Sequence, residues 1–119
     1  MNKGLFSIVS ALLLPLLLSA QDTISIAFIG DVMQHSRQLQ YAHKKGSDTL
    51  LSESYDYSPY FKYTEDILSD ADFAVANMEF VCNLPPFTGS PSFSAPASLA
   101  QECKECGSDL VLWANNPIF

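Results

Sequence analysis

Asp31, Glu79 and Asn116 stand at, or just past, the ends of short apolar runs in this chain, and His35 follows Asp31 by four residues. Two carboxylates and a carboxamide make a hard, oxygen-rich donor set of the kind that suits Mg²⁺ or Mn²⁺, to which an imidazole can add. A divalent cation held there would lower the pKa of bound water and polarise a phosphoryl or acyl oxygen. Each residue also has a plainer reading. Gly30-Asp31 after a strand is often a simple turn, Asn77 or Asn116 can cap a helix, and a lone His35 is more often a surface residue than a ligand. What points to chemistry is the shared position at strand ends, where side chains from successive loops converge in parallel α/β sheets.

The runs that would position them read as buried strands. Residues 24–29 are rich in β-branched side chains and end at Gly30-Asp31, residues 73–78 lead to Glu79, and residues 110–114 lead to Asn115-Asn116. Two helix signatures lie between. The first has Ser58 as N-cap and Pro59 at the first helical position, with Tyr60, Tyr63, Ile67 and Ala71 on one side. The second starts near Pro96, carries Leu99, Cys103 and Cys106 at i, i+4, i+7, and stops at Gly107. A shorter helix is expected over residues 37–44. Strands alternating with helices imply parallel βαβ units with right-handed crossovers, an α/β fold. Residues 45–56 and 83–94 read as irregular, the second holding Pro85, Pro86, Gly89 and Pro91. The run Tyr55-Asp56-Tyr57-Ser58-Pro59-Tyr60-Phe61 could offer a sugar- or polymer-binding surface, but rings folded onto the sheet are the more economical reading, because aromatics supply much of the core in a small domain.

The chain carries 119 residues and a net charge of −7, which leaves no basic stripe of the kind nucleic-acid binding requires. Nucleic acid is therefore not an expected partner. Cys82, Cys103 and Cys106 make an odd count, so they cannot all pair within one chain. Cys103-x-x-Cys106 sits at the end of its helix rather than at the start, where the helix dipole would activate a thiol. The pair is expected to act as small apolar core residues, reduced and metal-free.

At the start, Lys3 is followed by an apolar run over residues 4–18 and by Ser19-Ala20, with no acidic residue. This is the layout of a cleaved secretory leader. The run is shorter than the roughly 20 residues a spanning helix needs, and Pro15 interrupts it. Residues 1–20 are thus expected to be removed, leaving a domain over 21–119 that is periplasmic, extracellular or on the cell surface and meets the membrane only through the transient leader.

Four blocks carry a resemblance: Ile26-Ala27-Phe28-Ile29-Gly30-Asp31-Val32-Met33; Ala71-Asp72-Phe73-Ala74-Val75-Ala76-Asn77-Met78-Glu79; Pro91-Ser92-Phe93-Ser94-Ala95-Pro96; and Gly107-Ser108-Asp109-Leu110-Val111-Leu112-Trp113-Ala114-Asn115-Asn116. In order and spacing they resemble the CapA family of bacterial capsule or poly-γ-glutamate synthesis proteins, itself similar to calcineurin-like metallophosphoesterases. The resemblance implies a sandwich of sheets flanked by helices, with Asp31 as first-strand metal ligand, Asn77 and Glu79 as the second-strand polar group, and Asn116 as the third-block asparagine. It implies work on an anionic surface polymer, or with its membrane synthase. After the paired asparagines the family pattern continues with a histidine and an aspartate, whereas here Pro117-Ile118-Phe119 follows. The expectation is the N-terminal part of such a domain with an incomplete site for a Mn- or Mg-type ion, which leaves open whether it is an enzyme. The alternatives are a non-catalytic accessory or polymer-binding module and an inactive fragment.

Overall fold

The computed structural model describes residues 22–113. Along the chain these form β1 (Ile26–Met33), α1 (Ser36–Ala42), a 3₁₀ turn (Ser52–Ser54), α2 (Ser58–Phe61), α3 (Glu65–Ser69), β2 (Phe73–Glu79), β3 (Val81–Cys82), β4 (Ser94–Ala95), α4 (Ala97–Glu105) and β5 (Leu110–Leu112). Strands β1, β2 and β5 make one parallel sheet in that order, and β3 pairs with β4, also parallel. Parallel strands linked through helices are the α/β architecture expected from the alternation of runs.

Strand order follows chain order, so right-handed crossovers put the intervening helices on one face of the sheet. The core agrees. Leu68 of α3 and Leu99 and Cys103 of α4 are buried in one cluster with Ala74 and Met78 of β2, and Ala27, Ile29 and Val32 of β1 pack against it. Tyr55, Tyr57 and Phe61 belong to the same cluster, so the aromatic run fills the core rather than forming an open binding surface. α4 starts after Pro96 and ends at Gly107, whose φ of +102° is a conformation glycine adopts without strain. Leu99, Cys103 and Cys106 all face inward, and all three cysteines are free thiols.

Two local expectations are corrected. The first strand does not stop at Gly30-Asp31 but runs on to Met33 through a bulge: Ile29 pairs with Ala76 and Asp31 with Asn77, leaving Gly30 as the extra residue. Had Gly30 stayed in register, Asp31 would pair with Met78 and turn toward the core. The bulge turns it to the other face. The helix expected from Ser58 onward breaks into α2 and α3, with a turn where Thr64 N–H and Oγ1 both donate to the Phe61 carbonyl. Phe61 and Leu68 are the buried residues of these helices, while Tyr63 and Ile67 face solvent, because the break shifts the helical phase. Asp56 holds the start of α2 in place of Ser58, accepting from Ser58 N–H at 3.1 Å and Ser58 Oγ at 2.7 Å. The segment 83–94, expected to be irregular, holds no helix or strand before β4; it is anchored at both ends by the β3–β4 pair and lies against the start of α1. A Cβ at Gly89 would sit 2.4 Å from the Ser36 backbone nitrogen, so only glycine permits that approach.

Candidate functional site

The side chains that the bulge and the strand register bring together are Asp31, Asn77 and Glu79, on the sheet face away from the helices. Alternation along β2 puts Asn77 and Glu79 on one face with Val75, while Ala74, Ala76 and Met78 point to the other. Parallel pairing then sets Asp31 beside Asn77 and Met33 beside Glu79. The Asn77 amide donates to Asp31 Oδ1 at 2.6 Å and reaches Glu79 Oε2 at 3.5 Å. One carboxamide thus lies between two carboxylates that would otherwise repel each other. Asp31 is exposed, and Asn77 and Glu79 are half-buried.

Asp31 also lines a 310 Å³ cleft beside β1, shared with Tyr60, Phe61 and Thr64. Tyr60 is held there by donating to the Gln38 carbonyl at 3.0 Å.

His35 is placed elsewhere. It precedes α1, its backbone N–H donates to Gln38 Oε1 at 2.7 Å, and its ring meets Phe93 edge-on at 5.3 Å. Among the described residues no group of three or more His, Cys, Asp or Glu side chains could hold a metal ion. Asn116 lies outside the described residues, as do residues 1–20, for which a leader is expected. What the structure assembles is therefore a pair of carboxylates with the Asn77 amide nitrogen turned toward both. That pair fits a Mg²⁺-type ion, which is commonly bound through one or two carboxylates and keeps several of its waters.

One residue near the site was not legible in the sequence. Gln34 follows β1 directly and is fully buried. Its Oε1 accepts the Tyr57 hydroxyl, and its Nε2 donates to the Ser94 carbonyl at 3.3 Å. A single amide thereby ties the end of β1 to the aromatic segment and to β4. Burial pushes the Tyr57 hydroxyl pKa well above its ordinary value, so it remains a donor throughout the physiological range. In the sequence, Gln34 between Met33 and His35 reads as an ordinary surface polar residue. Its signal is only that it follows a strand end immediately.

The thiols are set by burial in the same way. Cys103 is pushed up to about 12 by desolvation and its neighbours, and Cys82 and Cys106 are also raised, each chiefly by desolvation. None is poised as a nucleophile or metal ligand.

A family model described as bacterial capsule synthesis protein PGA_cap matches residues 25–119. No curated protein and no solved structure matches the chain.

Proposed function

Because the chain belongs to the family of bacterial capsule synthesis proteins, matched over residues 25–119, we propose that it is an exported protein acting in the synthesis, export or anchoring of an anionic surface polymer of the poly-γ-glutamate type. Its working centre is the cluster of Asp31, Asn77 and Glu79. The observation that carries this reading is the Asn77 amide set between the Asp31 and Glu79 carboxylates at the carboxyl ends of adjacent parallel strands.

The polymer and the protein surface are both anionic, so direct contact is opposed unless a cation lies between them. Asp31 and Glu79 would hold a Mg²⁺- or Mn²⁺-type ion, with the Asn77 amide nitrogen orienting the two carboxylates. When bound, such an ion supplies Lewis-acid polarisation of a phosphoryl or acyl oxygen. The chain's own part is to present the two carboxylates on one face: the bulge at Gly30 aims Asp31, the strand register brings Asn77 beside it, and Gln34 secures the strand end.

Titration of the full chain with Mn²⁺, followed by electron paramagnetic resonance, tests this reading. Saturable binding abolished by Asp31→Ala supports it. Binding unchanged in Asp31→Ala and in Glu79→Gln would remove its basis. A second reading, a non-catalytic accessory module, is favoured by the exposed apolar residues Ile26, Phe28 and Phe73 beside the cluster among the described residues. It predicts the same family role with no hydrolysis of phosphoesters or amides in the presence of Mn²⁺.

A further inference from the structure

A separate cavity, of 340 Å³, lies among segments that follow strand ends: α1 after β1, the loop over residues 43–55, and Phe87 in the segment after β3. None of its lining residues belongs to β1, β2 or β5, so its walls are not a sheet face awaiting a covering layer. They are fixed by the chain itself. His43 and Tyr55 form an antiparallel bridge, and on either side of it Asp56 N–H donates to the Ala42 carbonyl and Lys44 N–H to the Ser54 carbonyl, each at 2.8 Å. The loop is thereby clipped at its neck, as in the compact surface loops that often carry function. The Tyr55 hydroxyl donates across the loop to the Thr49 carbonyl at 2.9 Å, and its ring meets Phe87 edge to face at 5.4 Å. The close approach of Gly89 to Ser36 fastens the segment that carries Phe87 to α1. Walls held in this way need little ordering when a ligand enters.

The lining narrows the ligand. It contains no Lys, Arg, Asp or Glu, so neither a carboxylate nor an ammonium group would meet a counter-charge there, and the net charge of −7 opposes an anion further. Tyr55 is buried, Leu39 and Phe87 are half-buried, and Gln40 and Thr49 are exposed. Apolar groups thus lie deep and neutral hydrogen-bonding groups lie at the opening. A purely apolar ring would strip water from Gln40 and Thr49 and return no bond. The 340 Å³ volume stands near the low end of the range for small-ligand sites, about 300 to 1,000 Å³, which gives room for one ring rather than a stretch of chain.

We propose that this cavity binds a single neutral sugar residue, its C–H face against Leu39, Tyr55 and Phe87 and its hydroxyls toward Gln40 and Thr49. Of the aromatic run over residues 55–61 only Tyr55 takes part, while Tyr57 and Phe61 stay in the core. The site shares no residue with the cluster of Asp31, Asn77 and Glu79 and needs no cation.

The test titrates the ¹⁵N-labelled full chain with three rings of similar size, methyl glucoside, glucuronate and cyclohexanol, and follows the amide shifts by NMR. EDTA is present throughout, so cation binding does not enter and the two readings fail separately. Methyl glucoside is expected to give saturable shifts at Leu39, Thr49 and Phe87, and glucuronate and cyclohexanol to bind severalfold more weakly. Gln40→Ala with Thr49→Ala, both at exposed positions, should weaken methyl glucoside binding by about tenfold, as for the loss of two neutral hydrogen bonds. Phe87→Ala should abolish it, and where that variant melts early the Gln40/Thr49 pair decides. Absence of any saturable shift overturns the proposal, as does binding indifferent to the Gln40/Thr49 pair. Equal binding of cyclohexanol would make the cavity a plain apolar pocket, and tighter binding of glucuronate would make charge the determinant; either overturns it. Shifts confined to Asp31 and Asn77 would place the sugar at the carboxylates and overturn it equally.

Discussion

The side-chain amide of Asn77 donates to the Asp31 carboxylate at 2.6 Å, joining the ends of two strands 46 residues apart in the chain. The same amide faces Glu79, so one neutral donor holds two like charges on one sheet face. Asn77→Ala should destabilise the metal-free protein by about 1.5 kcal/mol, the low end for a hydrogen bond to a charged group because Asp31 is exposed. Urea denaturation in EDTA checks this, and in the same variant Mn²⁺ should bind roughly tenfold more weakly, as for loss of a ligand-orienting partner.

Gln34 and Tyr57 form a buried pair, and their substitutions should not add. Gln34→Leu strands the Tyr57 hydroxyl and takes one of two donors from the Ser94 carbonyl, which keeps the Thr88 N–H at 2.8 Å, at a cost of about 2 kcal/mol. Tyr57→Phe strands only Gln34 Oε1 and should cost about 1 to 2 kcal/mol. The double variant should be more stable than the sum of the two implies, because the second change removes the partner that the first left unpaired. Strict additivity in denaturant melts would mean that the two side chains are energetically independent.

The raised Cys103 pKa gives stability a definite pH dependence. Below its ordinary 9.0 the thiol is protonated whether the chain is folded or unfolded. Between 9.0 and about 12 only the unfolded chain releases the proton, so stability falls as pH rises through that window. Cys103→Ala should flatten the fall between about pH 9 and 10.5, although it lowers stability at pH 7 through the cavity it leaves. Thiol reagents should modify Cys103 and Cys106 only on unfolding, and mass mapping should find neither a Cys103–Cys106 disulfide nor bound zinc.

Export is checked on secreted material. Terminal sequencing should find a chain that begins near Gln21, with Lys3 and the apolar run removed. An intact Met1 terminus in the membrane fraction would show instead that residues 4–18 serve as an anchor.

The three apolar runs, the helix that follows Pro96 and stops before Gly107 and the placement of Glu79 at a strand end were legible from local pattern, whereas Asp31 lies inside β1. Such signals are local by nature: β-branched runs favour strands, proline and glycine punctuate helices, and a thiol spaced i, i+4, i+7 with Leu99 lies on its apolar side. The same locality explains the misreadings. Nothing in Tyr60, Tyr63 and Ile67 announced the turn at Thr64 that rotates them outward, and nothing in Gly30-Asp31 separated a turn from a bulge.

By itself, then, the sequence determined the α/β class, the capsule-synthesis family and the carboxylates available for chemistry, because composition, spacing and hydrophobic period are properties of neighbouring residues. Only the tertiary structure decided which of these meet. The register across β1 and β2 brought Asn77 between Asp31 and Glu79, the packing of the segment 83–94 drew His35 to Phe93, and the burial of Gln34 made a polar residue part of the core. Each outcome depends on contacts between segments far apart in the chain, and a one-residue change of register would have turned Asp31 to the opposite face.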